Sequence, residues 1–423
     1  MSDSLHQQQQ KEKLEPQKEK LEQQKGPFKI TFDVVKVVST VVGLAGAAYA
    51  MWKYSPRVVS EQVLQTFESG GKLGWDEGFE KDADAVVKRP DVEKNLEAFF
   101  YPTPEGDLSA AYVLVVGEHG TGKSIAVRRV VREHEGINGA IYVNVPNNVH
   151  LFGVGVAAAV GLPLLTVDVE GTIFRFLKLD TNKVRDEPAG TWRKAELAIT
   201  QAAFKFRRKH KRPAVLIIDA AERLAKKNPA FFEELQDFAK DRTDEGILRV
   251  VFVSSDGSVL EQLQSRSAKS RMLKPPFEVG DICDKEAVEF LKRKGVVEKQ
   301  AEEAVRDITG GRFELLNDYL RVWWSKGNDA TRHELFKATR DAVESVGIGE
   351  RHPFFGALVA QQRIDKSPAK RLFGDKADTT LRALLNKNII SAHPDLTFTF
   401  HSRHVETFFK QEVFGLKRLW WWG

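Results

Sequence analysis

Four apolar runs punctuate the middle of the chain: Ala111–Val116, Ala140–Val145, Val215–Asp219 and Arg249–Ser254. Each is short and apolar at consecutive positions, the pattern of a strand buried on both faces. Stretches of helical period separate them. Strands alternating with helices predict an α/β fold, a doubly wound parallel sheet with right-handed crossovers. Arg89-Pro90 opens a helix ahead of the first strand, with proline in the first turn.

After Pro275-Pro276 the pattern becomes helical. Lys285–Lys294, Glu298–Ile308 and Phe313–Trp324 predict three helices, with Gly310-Gly311 between the last two. More helices follow from about Arg332. Ile389–Ala392 and Leu396–Phe400 then flank His393-Pro394-Asp395, a hairpin signal. Helices followed by a hairpin suggest a winged-helix-like unit at the C-terminus.

The N-terminus has a different character. Residues 1–29 are rich in Gln, Lys and Glu and are read as a disordered tail. KEKLEPQ and KEKLEQQ repeat at seven residues, but Pro16 breaks any coiled coil. Val37–Trp52 then runs without a charge. As a helix it spans about 24 Å, against a hydrocarbon core of about 30 Å. Lys36 and Lys53 are placed to snorkel, and Tyr49, Trp52 and Tyr54 suit a headgroup belt. Residues 30–54 are read as a transmembrane helix; the alternative is an apolar helix buried on the soluble part. A single-pass membrane protein, in a mitochondrial membrane by one account of the flanking lysines, is the expected localisation. Residues 55–84 read as a linker around Ser69–Trp75.

The 423 residues suffice for two or three domains, and a net charge of +5 neither demands nor excludes an anionic partner. The lone Cys283 excludes an intrachain disulfide and is read as structural. No zinc-ligand spacing occurs.

Gly117-Glu118-His119-Gly120-Thr121-Gly122-Lys123-Ser124 satisfies G-x-x-x-x-G-K-[ST] between a predicted strand and a helix that starts at Ile125. That context defines a P-loop. Backbone N–H groups over Gly117–Ile125 would cradle phosphate, Lys123 would reach the β- and γ-phosphates, and Ser124 would ligate Mg²⁺. ATP and Mg²⁺ are therefore the expected ligands. Asp219 ends an apolar strand about 100 residues later, as a Walker B aspartate that holds Mg²⁺ through water. The next residue is Ala220, where many ring ATPases carry a catalytic Glu. Glu222 is either the substitute base or a first-turn residue favouring a helix N-terminus. Ser254 is either a γ-phosphate sensor or part of an ordinary strand-end turn. Arg266 and Arg271 are candidate arginine fingers for a neighbouring copy, or simply exposed.

These motifs together resemble the STAND and archaeal-type branches of the AAA+ ATPases, over roughly residues 85–415. Asp219-Ala-Ala-Glu222 is similar to the STAND spacing. Ile308-Thr-Gly-Gly-Arg-Phe-Glu-Leu-Leu316 resembles the family's lid motif, with Phe313 in place of its proline and Arg312 able to approach phosphate. The resemblance implies a P-loop ATPase core over 85–275, a helical lid over 276–331 and the winged-helix-like unit over 332–423. It also implies ATP-driven movement of lid against core, often with homo-oligomer assembly. Some fungal mitochondrial membrane ATPases have a similar anchor-plus-ATPase layout. Two other readings stay open. One is a nucleotide-binding scaffold with little hydrolysis, supported by Ala220. The other is nucleic-acid binding through the winged helix and the basic run Arg207–Arg212, which reads more readily as a solvated helix end. Trp420-Trp421-Trp422 either meets a membrane interface or packs on the last helix.

Overall fold

The computed structural model describes residues 55–70, 87–101, 111–134, 138–162, 188–256, 258–265, 267–393, 395 and 397–416, with scattered positions between 37 and 53. The tail, most of the 30–54 span, Arg266 and Trp420–Trp422 lie outside the described residues. The described positions between Val37 and Lys53 are helical, and Val37, Val41, Leu44, Tyr49 and Trp52 are exposed. Among the described residues no helix is long and apolar enough to cross a membrane. The described residues before Ser60 belong to one unit and those from Ser60 onward to a second, larger one.

In the larger unit, strands β1 (Val113–Val116), β2 (Ala140–Asn144), β3 (Ala214–Asp219), β4 (Leu248–Ser254) and β5 (Phe277–Glu278) form one sheet in the order β2-β3-β4-β1-β5. Every pairing is parallel. All residues of β1, β3 and β4 are buried, which is why these runs lack the alternation of a half-exposed strand. β4 lies between β1 and β3, so the strands carrying the two nucleotide motifs are not adjacent. Their carboxyl ends still reach one edge of the sheet.

The expected linker over 55–84 is corrected in its first part. Helix α1 (Pro56–Ser69) buries Val63, Leu64 and Phe67, and Phe67 packs against Phe206. Apolar positions at 63, 64 and 67 make one helical stripe, enough to bind an amphipathic helix to the core. Helix α2 (Pro90–Phe100) precedes β1, and α3 (Lys123–Glu133) follows the P-loop. Helix α4 (Phe152–Ala159) and the long α5 (Pro188–His210) lead to β3. The basic run closing α5 is largely used internally. Arg207 donates to the Gly246 carbonyl at 2.7 Å, Lys209 and His210 both meet Glu68, and Arg212 lies over the Tyr101 and Phe206 rings. Helices α6 (Glu222–Lys227), α7 (Pro229–Asp244) and α8 (Ser258–Ser265) complete the core.

Beyond β5, helices α9 (Asp284–Arg293), α10 (Glu298–Ala304) and α11 (Phe313–Lys326) form a separate apolar cluster around Phe290, Ile308 and Tyr319. The predicted helix over 298–308 differs in its last turn, which widens into a π turn at Val305–Thr309 and ends at Gly310 with φ 58°. Widening brings Gly311 against Ile282. A Cβ on Gly311 would stand 1.8 Å from the Ile282 carbonyl oxygen, so only glycine fits.

Helix α12 (Asn328–Ser345) leads to α13 (Pro353–Gln361), β6 (Ile364–Asp365), α14 (Lys366–Phe373), α15 (Ala377–Asn386), β7 (Ile390–Ala392) and β8 (Thr397–Phe400). The strands form an antiparallel sheet in the order β6-β8-β7. Phe354, Phe355, Leu384, Phe400 and Phe409 pack in its core. Helix α16 (Arg403–Thr407) follows. β5 and β6 were not foreseen: two-residue strands carry no readable period.

Candidate functional site

Among the described residues, the carboxyl edge of the parallel sheet collects every candidate for meeting nucleotide except Arg271. A cavity of ≈ 280 Å³ there is lined by Gly117, Glu118 and His119 of the P-loop, Glu222, and Ser391 and His401 of the C-terminal unit, among others. Crevices at this edge are where open α/β sheets bind ligands.

Gly120 (φ 82°) and Gly122 (φ 85°) turn the loop through conformations that residues with a Cβ rarely adopt. They also let the start of α11 approach. A Cβ on Gly120 would meet Glu314 at 2.5 Å, one on Gly122 would meet the Phe313 ring at 3.0 Å, and Glu314 N donates to the Gly120 carbonyl at 3.3 Å. Thus the Phe313 ring packs directly against the loop. Thr121 is buried, its hydroxyl donating to the Glu118 carbonyl at 3.0 Å. Ser124 and Ile125 lie half-buried in the first turn of α3.

Lys123 is 4% exposed and donates from Nζ to the Glu118 carbonyl at 2.6 Å. Burial pulls its ammonium down to about 8, against the opposing influence of Asp219 and Glu222. Asp219, at the end of β3, is also buried. Its Oδ1 accepts from Ala220 N at 2.8 Å and its Oδ2 from the Tyr142 hydroxyl. Tyr142 in turn accepts from Arg128 Nε at 2.9 Å, with that guanidinium 4.9 Å from the ring centroid. Burial and the neighbouring carboxylate push the Tyr142 phenol far up, so it remains a donor. One hydroxyl (Ser124) and one carboxylate (Asp219) fit the hard oxygen donors Mg²⁺ takes when it keeps several waters. Among the described residues no cluster of three His, Cys, Asp or Glu exists that would hold a metal without phosphate and water.

Glu222 begins α6, where its Oε2 accepts from Ser255 N at 3.3 Å. It is the first-turn carboxylate expected, and it also lines the cavity. Ser254 is occupied in the strand-end turn. Its hydroxyl donates to the Asp256 carbonyl at 3.1 Å and accepts from Asp256 N at 3.0 Å.

Arg271 is not brought to the site of its own chain. Its carbonyl accepts from Tyr112 N at the amino end of β1, and its guanidinium pairs with Asp244. Arg312 is brought in. It is 4% exposed; Nε donates to Asp281 Oδ1 at 2.7 Å, Nη2 meets the Glu118 carboxylate, and Nη1 lies 3.2 Å from His401 Nδ1. Burial draws His401 down to about 3, reinforced by Arg312, His119 and Lys123, so it is neutral near pH 7. His119 lies 3.5 Å from Glu314, which raises the imidazole.

Tyr142, Asp281, His401 and Arg89 belong to the site's surroundings and were missed. Arg89 Nη1 donates to the Thr121 carbonyl at 3.1 Å. None lies in a motif, and only tertiary packing gathers them. Tyr142 was the one with a signal: a lone polar ring in an apolar strand.

Residues 108–318 match a family described as an ATPase domain predominantly from Archaea. That stretch is a P-loop ATPase domain, for which ATP is the implied ligand. No curated protein matches the sequence. Similar solved structures include a Walker-type ATPase of Pyrococcus abyssi (16% identity, 77% of this chain and 96% of that one, TM-score 0.49). Others are Cdc6p of Pyrobaculum aerophilum (15%, 78% and 98%, 0.37) and the Aeropyrum pernix ORC1 protein in complex with DNA (14%, 78% and 94%, 0.39).

Proposed function

We propose that the chain is a membrane-anchored ATPase that uses Mg²⁺·ATP binding and hydrolysis at the Gly117–Ser124 loop to change the packing of lid and C-terminal unit on the core. The observation that carries this reading is the meeting of Lys123, Asp219 and Arg312, from three separate segments, around one loop whose glycines already admit the lid. Lys123 would bind the β- and γ-phosphates, Ser124 and Asp219 would hold the metal, and Tyr142 keeps Asp219 oriented. Mg²⁺, when bound, neutralises charge that develops on the transferred phosphoryl group. Glu222 orients the attacking water once Ser255 N releases it. Arg312 and His401 report the state of the site to the lid and the C-terminal unit.

The topology α13-β6-α14-α15-β7-β8 supports reading that unit as winged-helix-like. Its α15 carries Leu385 and Asn386 to the nucleotide cavity, which favours a role in internal contact over one on nucleic acid. Membrane attachment through residues 30–54 rests on the uncharged run and its aromatic and lysine flanks. A mitochondrial location and homo-oligomer assembly, with Arg271 acting on a neighbour, belong to the same reading.

A scaffold that binds ATP and scarcely hydrolyses it is the second reading, favoured by Ala220 and by the bond that engages Glu222. ATP turnover by the full chain, compared with Lys123→Ala and Glu222→Gln, separates the two. Turnover lost in both variants supports the ATPase with Glu222 as its base. ATP binding that depends on Lys123 without turnover supports the scaffold.

A further inference from the structure

Both cations that the P-loop reading gives to phosphate are held by one residue. The Glu118 carbonyl accepts from Lys123 Nζ at 2.6 Å, and the Glu118 carboxylate takes Arg312 Nη2. Glu118 occupies the second position of the loop, a position at which the P-loop pattern asks for no particular side chain. Its backbone belongs to the cradle, but the cradle needs no carboxylate there. A carboxylate at the mouth of a site for a polyanion opposes that ligand, and burial makes the opposition stronger because it is poorly screened. The Glu118 side chain is 18% exposed and that of Arg312 5%. A second cavity of ≈ 270 Å³ adjoins the pair, lined by Thr121, Asp281, Arg312 and His401 among others. The guanidinium therefore has space beside it into which it can swing.

We propose that the Glu118 carboxylate is a built-in anion that satisfies Arg312 while phosphate is absent, beside a backbone carbonyl that holds Lys123, and that ATP binds by displacing the carboxylate from Arg312. Arg312 is then shared between two acceptors, the Glu118 carboxylate and the incoming phosphate. Asp281 holds it through the exchange, with bonds of 2.7 and 3.1 Å from Nε and Nη2. The affinity measured for ATP is the intrinsic affinity reduced by the fraction of molecules in which Arg312 is released. Because Arg312 is the N-cap of α11, its exchange of partner is also a change in how the lid sits on the loop. The carboxylate of a loop residue thus sets the threshold at which nucleotide moves the lid. Glu118 acts as a positioning residue, and its effect has a sign opposite to that of an ordinary cradle residue.

The inference rests on the ATP-site reading above, and the test keeps the two apart. Equilibrium ATP binding is measured on the full chain as wild type, Glu118→Gln, Glu118→Asp, Arg312→Ala, the Glu118→Gln/Arg312→Ala double variant, and Lys123→Ala. Glu118→Gln should bind ATP about tenfold tighter, within the range of intramolecular coupling between sites. Glu118→Asp, which keeps the charge but shortens the reach to Arg312, should show a smaller gain. Against the Arg312→Ala background the gain from Glu118→Gln should shrink to well below tenfold, leaving only the direct repulsion between carboxylate and phosphate. A folded Glu118→Gln or Glu118→Asp variant that binds ATP as wild type does, or more weakly, overturns the proposal, and so does a Glu118→Gln gain that is undiminished by loss of Arg312. ATP binding indifferent to Lys123→Ala would overturn the site reading itself, and the proposal with it.

Discussion

Tyr142 on β2 gives its phenolic hydrogen bond to Asp219 on β3, while Arg128 on α3 donates to the same phenol. The strands pair in register, Tyr142 with Ile217 and Asn144 with Asp219, so the ring lies two residues back along its strand from the residue opposite the aspartate. A charge-assisted bond of this kind fixes the carboxylate without spending its charge. Replacing Tyr142 with Phe keeps the ring and removes the donor. We expect Tyr142→Phe to lower stability by about 1–3 kcal/mol, because Asp219 is left buried with one partner fewer. It should also shift the Mg²⁺ dependence of ATP binding to higher concentration. Urea unfolding and Mg²⁺ titration check the two parts separately.

Lys123 titrates near 8 in the folded chain because it is buried. Its charge, and with it the attraction for phosphate, is present below that pH and lost above it. ATP affinity should therefore fall by about tenfold between pH 7 and pH 9. The Lys123→Ala variant should lack this slope. For stability the sign is opposite: above pH 8 the unfolded lysine binds a proton that the folded one does not, so folding gains as pH rises toward 10.5. Binding and unfolding measured at the same pH values should move in opposite directions.

His404 is buried between the Ile308 carbonyl of the lid and Thr339 of α12, and burial draws it down to about 4. A histidine kept neutral in the fold but protonated when unfolded near pH 6.5 costs stability as pH falls. The loss between pH 6.5 and 4 should approach about 3 kcal/mol. Denaturant unfolding at pH 7 and pH 5 should show this decline, and His404→Gln should flatten it.

Gly311→Ala places a Cβ against backbone, which cannot swing aside. Destabilisation of about 3 kcal/mol or more is expected, the range of severe overpacking. The adjacent Arg312 should be displaced as well, weakening ATP binding. Gly349→Ala, with nothing within 4 Å of the new Cβ, is the control and should change stability by about 0.5 kcal/mol or less. Thermal melts of the two variants decide.

Membrane attachment through residues 30–54 predicts that the full chain sediments with lipid vesicles and that a chain lacking those residues does not. If binding instead survives that deletion and is lost on removing residues 419–423, the tryptophan tail is the contact.

The order of strands and helices, the P-loop and the Asp219 strand were all legible in the sequence because each depends on local pattern. A buried parallel strand is a run of apolar residues wherever it sits in the sheet, and a phosphate loop needs its glycines and Lys123 at fixed spacing. What only the tertiary structure decided involves residues far apart in the chain. Helix α1 packs on the core from within an expected linker, Arg271 lies at the opposite edge of the sheet from Lys123, and Arg312 comes across almost two hundred residues to reach Glu118. Ser254 closes its own turn, a choice between two local geometries that its sequence neighbours leave open. Local pattern sets which backbone conformations are favourable. Which charged groups meet depends on how the elements stack, and that follows from the burial of the whole apolar surface at once.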